Sequence, residues 1–116
     1  MTGWDDREPI YVQLAQSVLE RIMRGDLDEG EPVPSVRQVA SRERINPLTV
    51  SRGYQLLVDD GLLEMRRGLG MFVAAGARTR ALERERRRFL GEEWPRTLER
   101  IHLFGLSPDD LLNKDD

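Results

Sequence analysis

The chain has 116 residues, enough for one compact domain and a short appendage, and its 39% hydrophobic content supports one modest core. It has no cysteine and a single histidine, His102, so disulfides and thiolate or multi-histidine metal sites are excluded, and no catalytic or cofactor-binding motif is present. No apolar run approaches the ~20 residues that cross a bilayer, and residues 1–6 lack the features of a signal peptide, so we expect a cytoplasmic protein with no membrane partner.

The first predicted helix begins at Pro9, because proline at the first helical position loses no hydrogen bond. Apolar residues then recur at three- and four-residue spacing, which predicts one buried face: Ile10, Leu14, Val18 and Ile22. Gly25 ends this helix. Residues 26–34 are rich in glycine and proline, which indicates an ordered turn.

Two helix-start signals follow at a short distance. Ser35 and Gln38 have the spacing of a capping box, with the serine at the N-cap, and the helix that they begin stops near Arg44. Asn46 and Pro47 then supply a second N-cap and a first helical residue. Two capped helices separated by about three residues form a helix-turn-helix pattern.

The third helix runs from Pro47 to about Asp60, and its two faces differ in character. At about 3.6 residues per turn, an apolar face is formed by Val50, Tyr54 and Leu57. The opposite face and its flanks are mostly polar and contain Leu48, Thr49, Ser51, Arg52 and Gln55. Reading base edges requires a face of this kind, although an ordinary solvated helix face has the same pattern.

A hairpin is predicted directly after the third helix. Residues 62–66 and 71–73 have strand character, and residues 67–70 form the turn between them. Glycines in this turn let the backbone approach a groove closely, and arginine supplies a phosphate or groove contact. A plain hairpin packed on the helices is the alternative, but the position after a helix-turn-helix favours a DNA-contacting wing.

Positive charge is concentrated where this pattern places the DNA-facing residues, although the whole chain has a formal net charge of −3. Residues 1–34 carry three basic and eight acidic side chains, residues 35–73 carry six and four, and residues 74–116 carry nine and nine. Because exposed charges more than about 10 Å apart are largely screened at 0.1 M salt, the local balance governs contact with phosphates.

The residues after the hairpin predict short helices that need a partner. A charged helix over residues 77–91 has arginines that alternate with glutamates, which indicates a solvated face rather than a second nucleic-acid site. A helix over residues 92–103 and a last turn capped by Ser107 follow. These pieces are too short for their own core and too apolar for water. We expect them to pack on a second copy of the chain through Leu82, Phe89, Trp94, Leu98, Ile101 and Phe104.

Together these elements predict a mainly α fold with a small β-hairpin. Residues 9–73 form a winged helix-turn-helix DNA-binding domain, and residues 77–112 form a short C-terminal helical dimerisation segment. An enzyme is not expected, because no nucleophile–base pair and no set of metal ligands can be named.

Five motifs in order resemble the GntR family of bacterial transcriptional regulators, specifically its short YtrA-like branch. Residues 9–14 (PIYVQL) resemble the family's PIYxQI, and residues 25–27 (GDL) its GxL turn. Residues 33–40 (VPSVRQVA) are similar to its LPSxRxLA, and residues 45–54 (INPLTVSRGY) to the branch's INPNTVxxAY. Residues 61–73 resemble its EGLI…RxGxGTFV wing.

The resemblance implies a homodimer that binds an inverted-repeat operator in double-stranded DNA, usually as a repressor and often near genes for ABC-type transporters. It also implies which positions touch DNA: the arginine of PSxR, the front of the recognition helix and the wing. Together with the N-cap Ser35, whose helix N-terminus we expect to point at a phosphate, these are Arg37, Asn46, Pro47, Leu48, Thr49, Ser51, Arg52, Arg67, Gly68 and Gly70.

Three residues depart from the branch. Leu48 stands where it usually has asparagine, Gly53 where it has alanine, and Met71 where it has threonine. We expect Gly53 to permit close packing of a neighbour, whereas the other two changes alter the operator sequence that the chain prefers.

Two alternatives stay open. A winged helix can serve as a protein-interaction module without DNA binding, although Arg52, Arg66 and Arg67 argue against this. An unidentified small-molecule effector would sit at the dimer interface near Trp94 and His102, where simple packing is the preferred interpretation because no convergent polar set is visible.

Overall fold

The first helix supplies one side of the core. In the computed structural model, which describes residues 3–113, helix α1 is Ile10–Arg24, and Pro9 is its N-cap rather than its first residue. The helix therefore begins one residue later than predicted, because Pro9 has an extended ψ of 144°. Gly25 ends α1 with a φ of 87°, which glycine adopts without strain. The buried face of α1 is Leu14, Ala15, Val18, Leu19 and Ile22.

The two capped helices form as predicted. Helix α2 is Val36–Glu43 and helix α3 is Pro47–Asp59, with Ser35 and Asn46 as their N-caps. Arg44 begins the turn between them and has a φ of 58°, the only positive φ at a non-glycine residue in the described chain. The helix-turn-helix is confirmed, and α3 takes the position of a recognition helix.

The hairpin follows α3 and is antiparallel. Strand β1 is Leu63–Arg66 and strand β2 is Gly70–Val73. The sequence predicted Gly70 as part of the turn, but Gly70 pairs with Arg66 in the ladder and begins β2.

The other edge of β2 is covered by residues that the sequence assigned only to a turn. Pro32 forms an antiparallel bridge with Phe72, and the Val33 N–H donates to the Met71 carbonyl at 2.9 Å. Because the bonds on either side of the bridge need no N–H from Pro32, proline is tolerated at this position. The segment that leads into α2 therefore fastens the hairpin to the helix-turn-helix.

The chain divides into two compact units, Met1–Leu82 and Glu83–Asp116. The core of the first unit joins α1, α2, α3 and the hairpin to the start of helix α4 (Ala77–Arg88). Ala77 and Ala81 are fully buried in this core because residues four apart lie on one helix face. The first unit thus continues past residue 73, where we predicted that the DNA-binding domain ends; the division of function between residues 9–73 and 77–112 stays a prediction.

A π-helical turn, Phe89–Glu93, follows α4 in the second unit and leads into helix α5, Trp94–Leu103. The N–H of Trp94 donates to the carbonyl five residues earlier. Pro95 accounts for the wider turn, because it has no N–H for the Gly91 carbonyl and its ring would clash with that carbonyl in a regular helix. The sequence predicted two separate helices here, whereas the backbone stays helical from Arg88 to Trp94.

A short helix, α6 (Pro108–Leu112), ends the described chain. Ser107 caps it as predicted, and its Oγ accepts the Asp110 N–H at 3.3 Å. No helix within residues 3–113 is both long enough and apolar enough to span a membrane.

Tyr54 lies at the centre of the first unit and is only 1% exposed. Its hydroxyl donates a hydrogen bond of 2.6 Å to the Pro34 carbonyl. Burial raises the pKa of Tyr54 to about 12, and Arg42 and Arg21 act in the opposite direction. The folded chain therefore holds the phenolic proton that makes this bond.

We expect Tyr54→Phe to lower the free energy of unfolding by about 1–2 kcal/mol, because the Pro34 carbonyl loses its donor. The tyrosine's contribution is present below the ordinary pKa of 10.0 and is lost as the pH rises from there towards 12, since the unfolded chain releases the proton first. Urea unfolding of both proteins near pH 8 and again at about pH 11 tests this. The difference in free energy of unfolding between the wild type and Tyr54→Phe should narrow at the higher pH. A difference that stays constant would contradict the raised pKa of Tyr54.

Candidate nucleic-acid interface

The start of α2 presents a capping serine and an unpaired arginine. The Ser35 Oγ accepts the Gln38 N–H at 3.1 Å, and the Gln38 side-chain oxygen accepts the Ser35 N–H at 2.9 Å. This arrangement leaves the hydroxyl proton of Ser35 available for an outside acceptor. Arg37 is exposed, and its side chain makes no hydrogen bond or ion pair with the rest of residues 3–113.

The first turn of α3 is open to solvent. Asn46, Pro47, Leu48 and Ser51 are exposed, and Thr49 is half-buried. The Asn46 Oδ1 accepts the Leu48 N–H at 2.8 Å, which satisfies one of the free donors at the helix start.

Further along the same face, two polar side chains already have protein partners. The Arg52 guanidinium lies 4.0 Å from the centroid of the Tyr11 ring, which belongs to α1. Stacking holds the guanidinium plane but leaves its in-plane N–H donors free for an outside acceptor. The Gln55 amide donates to Asp59 at 2.8 Å. The face therefore keeps its unpartnered side chains at its front.

The two hairpin arginines differ in their surroundings. The Arg66 guanidinium lies 4.2 Å from the centroid of the Phe72 ring, and its Nε donates to Glu64 at 3.0 Å. Arg67 is exposed and has no comparable contact within the described chain. The hairpin thus uses Arg66 for its own structure and presents Arg67 outward.

The glycines at the hairpin tip are required by conformation rather than by packing. Gly68 has a φ of 77° and Gly70 a φ of 115°, and no atom lies within 4 Å of a Cβ built on either. The open space around both lets the backbone approach another molecule closely. Leu69, between them, is 72% exposed.

Two adjoining concave surfaces bring together five of the eleven predicted DNA-binding positions, namely Ser35, Arg37, Pro47, Gly68 and Gly70. A cleft of about 330 Å³ between the start of α2 and the hairpin is lined by Ser35, Val36, Tyr54, Met65, Arg66, Gly68, Gly70 and Met71. A more open concavity of about 580 Å³ is lined by Val36, Arg37, Ala40, Ser41, Ile45 and Pro47. Val36 belongs to both, so the hairpin tip and the start of both helices border one continuous surface.

Pairing within the chain leaves positive charge on this surface. Three acidic side chains of residues 35–73 have these polar partners: Glu43 with Arg42, Asp59 with Gln55, and Glu64 with Arg66; the fourth, Asp60, is not free either. The side chains of three of the six arginines make no hydrogen bond, ion pair or ring contact with residues 3–113: Arg37, Arg44 and Arg67. The unpaired arginines are therefore the main carriers of the local positive charge.

The residues predicted to dimerise differ in exposure. Leu82 ends the first unit, and the other five lie in the second, where Ile101 is buried, Trp94 and Leu98 are half-buried, and Phe89 and Phe104 are exposed. The second unit also exposes five leucines outside the predicted set: Leu90, Leu103, Leu106, Leu111 and Leu112. His102 is exposed, so the packing expected for it does not occur within the described chain.

Gly53 brings α1 and α3 close together. A Cβ at this position would lie 2.9 Å from the Tyr11 carbonyl oxygen and 3.2 Å from the Leu14 Cδ2. The close packing expected from the sequence is confirmed. Tyr11 is also the ring beneath Arg52, a contact that sequence reasoning missed because no local spacing signals it.

A model of the family described as bacterial regulatory proteins, gntR family, matches residues 10–73. The chain belongs to the GntR family. This GntR chain is 40% identical over 70 residues to the uncharacterized HTH-type transcriptional regulator YhcF of Bacillus subtilis. It is 37% identical over 75 residues to the HTH-type transcriptional repressor YtrA of the same organism. The alignments cover 60% and 65% of this chain, and the matched segment spans 58% of the length of each relative.

Solved structures of GntR proteins share the fold. A GntR family transcriptional regulator from Listeria monocytogenes superposes with a TM-score of 0.76 over 94% of both chains at 23% identity, which confirms the winged helix-turn-helix architecture. The DNA-binding domain of AraR, solved in complex with operator ORR3, has a TM-score of 0.57 and 25% identity, covering 62% of this chain and 87% of that one.

We expect Gly53→Ala to destabilise the protein by about 1–2 kcal/mol, because overpacking against a backbone oxygen outweighs the gain in helix propensity. Gly91→Ala is the matched control, since no atom lies within 4 Å of its Cβ position. Thermal unfolding should show a lower Tm for Gly53→Ala and an unchanged or higher Tm for Gly91→Ala. Equal shifts for the two variants would mean that the contact between α1 and α3 is not tight.

Proposed function

We propose that this GntR chain is a transcriptional repressor that binds an inverted-repeat operator in double-stranded DNA as a homodimer. The observation that carries the proposal is the surface that joins the hairpin tip to the starts of α2 and α3, which Arg37, Pro47, Gly68 and Gly70 line. Unpaired arginines beside an exposed helix start match the needs of phosphate contact and base reading. We propose the cytoplasm as its location, because the family is one of bacterial regulators and bacterial chromosomal DNA lies there.

Each protomer lays the front of α3 in the major groove. Asn46, Pro47, Leu48, Thr49 and Ser51 then face base edges, and Arg52 reaches a phosphate while it stays on the Tyr11 ring. The start of α2, with Ser35 and Arg37, lies against the DNA backbone, where its helix dipole favours a phosphate.

The wing extends the contact beyond the major groove. Arg67 supplies the charge, and the open backbone at Gly68 and Gly70 permits a close approach to the sugar–phosphate chain or the minor groove. Arg66 acts indirectly, because its contacts with Phe72 and Glu64 hold the hairpin.

A second copy of the chain covers the apolar side chains of residues 77–112. Phe89 and Phe104 are 47% and 62% exposed, and five leucines of the same unit are exposed beside them. A unit this small cannot bury them in a core of its own, and a two-fold interface buries the same patch on both copies. The dimer places two recognition helices about 34 Å apart, one turn of the duplex.

Repression and the regulated genes are inferred from the relatives. YtrA and NagR of Bacillus subtilis are both named as HTH-type transcriptional repressors. We further propose that an ABC-type transporter operon is among the targets, as the resemblance to the short branch implies. The proposed place for a small-molecule effector is the dimer segment near Trp94 and His102, where the His102 side chain is exposed.

A protein-interaction module without DNA binding is the competing function. Such a module has no use for unpaired arginines on α2 and the wing, yet Arg37 and Arg67 are both exposed there. A selection from a library of random DNA duplexes separates the two functions, because a module without DNA binding enriches no duplex.

One test of the proposed function concerns operator binding by the full chain. A selection from random duplexes should enrich an inverted repeat, and Arg37→Ala should weaken binding to it by about 5- to 150-fold in a mobility-shift titration. Arg67→Ala should weaken binding to all duplexes alike and reduce the salt dependence, as expected for a phosphate contact.

Arg87→Ala is the control for these two variants. Arg87 is exposed, carries the same charge and lies on α4, outside the surface proposed to contact DNA. Operator affinity should stay within about twofold of the wild type. Unchanged affinity in Arg37→Ala, or an equal loss in Arg87→Ala, would overturn the proposed interface.

Another test of the proposed function concerns the dimer. Replacing both Phe89 and Phe104 with aspartate should give a monomer in sedimentation equilibrium, because charge replaces apolar surface in the interface. This monomer should lose affinity for the full inverted repeat but keep weak binding to a half-site, which shows that the winged unit is still folded. Leu69→Asp, at an exposed leucine of the hairpin, should remain dimeric. A dimeric double variant would contradict the assignment.

A further inference from the structure

Leu48 is an exposed leucine on the surface proposed to face DNA. Its side chain is 71% exposed at the second residue of α3. Among the described residues up to Leu82, only two other large apolar side chains are exposed, Met65 and Leu69, and both belong to the hairpin. Single exposed apolar side chains are common, but of these three only Leu48 belongs to the helix proposed to enter the major groove.

The first turn of α3 holds Leu48 in a defined place. Asn46 accepts its N–H at 2.8 Å, and Pro47 fixes the backbone between them. Behind Leu48 on the same face, Arg52 is stacked on Tyr11 and Gln55 is bonded to Asp59. The foremost large side chain of this face is therefore apolar and has no hydrogen-bonding group to offer a base.

We propose that Leu48 is a specificity-determining residue that contacts the 5-methyl group of a thymine in the major groove of each operator half-site. This inference rests on the proposed DNA binding. Thymine is the base that presents a methyl group on its major-groove edge. Leucine buries that methyl group, whereas over another base it would cover donors or acceptors without satisfying them. Leu48 therefore selects for thymine and against the other three bases.

Leu69 provides a comparison of equal chemistry. It is 72% exposed, but it lies at the hairpin tip, which is proposed to face the DNA backbone or the minor groove. Neither presents a thymine methyl group. A difference between the two leucines thus tests where the methyl group is read.

The test uses the full chain and the duplex that it selects from a random library. Each thymine of the half-site is replaced in turn by deoxyuridine, which lacks only the methyl group. One symmetrical replacement should weaken wild-type binding by about fourfold per half-site, the effect of exposing one buried methyl group. Leu48→Ala should bind the thymine duplex and the deoxyuridine duplex with equal affinity. Leu69→Ala should show the same difference of about fourfold per half-site between these duplexes as the wild type.

The outcomes separate this inference from the proposed function. If no inverted repeat is enriched, the proposed function fails. If a repeat is enriched but no replacement changes affinity, or if Leu48→Ala keeps the difference, only the role of Leu48 is overturned. A difference lost in Leu69→Ala instead would assign the methyl contact to the wing. Both variants change an exposed side chain, so an unchanged Tm should accompany each result.

Discussion

The hydrogen bond from the Tyr54 hydroxyl to the Pro34 carbonyl joins the parts of the structure that must act together. Tyr54 belongs to the recognition helix, and Pro34 immediately precedes the N-cap of α2, so the bond sets the start of one helix relative to the middle of the other. One residue earlier, Val33 donates to β2 of the hairpin. A single short segment therefore connects recognition helix, α2 and wing, and the burial of Tyr54 keeps water away from the contact that holds them.

A chain with a net negative charge can present a basic surface when its acidic side chains contact partners within the chain and some of its arginines do not. Glu43, Asp59 and Glu64 each contact a polar partner, whereas Arg37 and Arg67 do not. Surface pairs of this kind add little to stability, so their effect here is on the field that an approaching phosphate meets. Because that field decays within about 10 Å in salt, the charges close to the surface matter more to it than the net charge of the whole chain.

The elements that could be predicted from the sequence are those whose causes are local. The caps at Ser35 and Asn46 involve partners within three residues, so the helix-turn-helix was readable in full. The bridge from Pro32 to the hairpin and the stacking of Arg52 were not, because they join residues that are distant in the chain. The sequence also predicted separate helices over residues 77–91 and 92–103, whereas the backbone stays helical between them and accommodates Pro95 by widening one turn. The candidate site was therefore predicted as a set of positions, while its division into free and engaged arginines required the structure.

On the recognition helix, the engaged Arg52 and the unpartnered Leu48 are suited to two different kinds of DNA contact. Arg52 is held by Tyr11, whose backbone in turn touches Gly53, so the tight contact between α1 and α3 fixes the direction of a charged group. A guanidinium held in this way is suited to a phosphate, which looks the same in every sequence. Leu48, one turn earlier, carries no charge, and its favourable contact depends on the base that it meets. In the proposed complex, affinity and selectivity depend on different side chains of one helix, and the operator preference can change at Leu48 without disturbing the packing that positions Arg52.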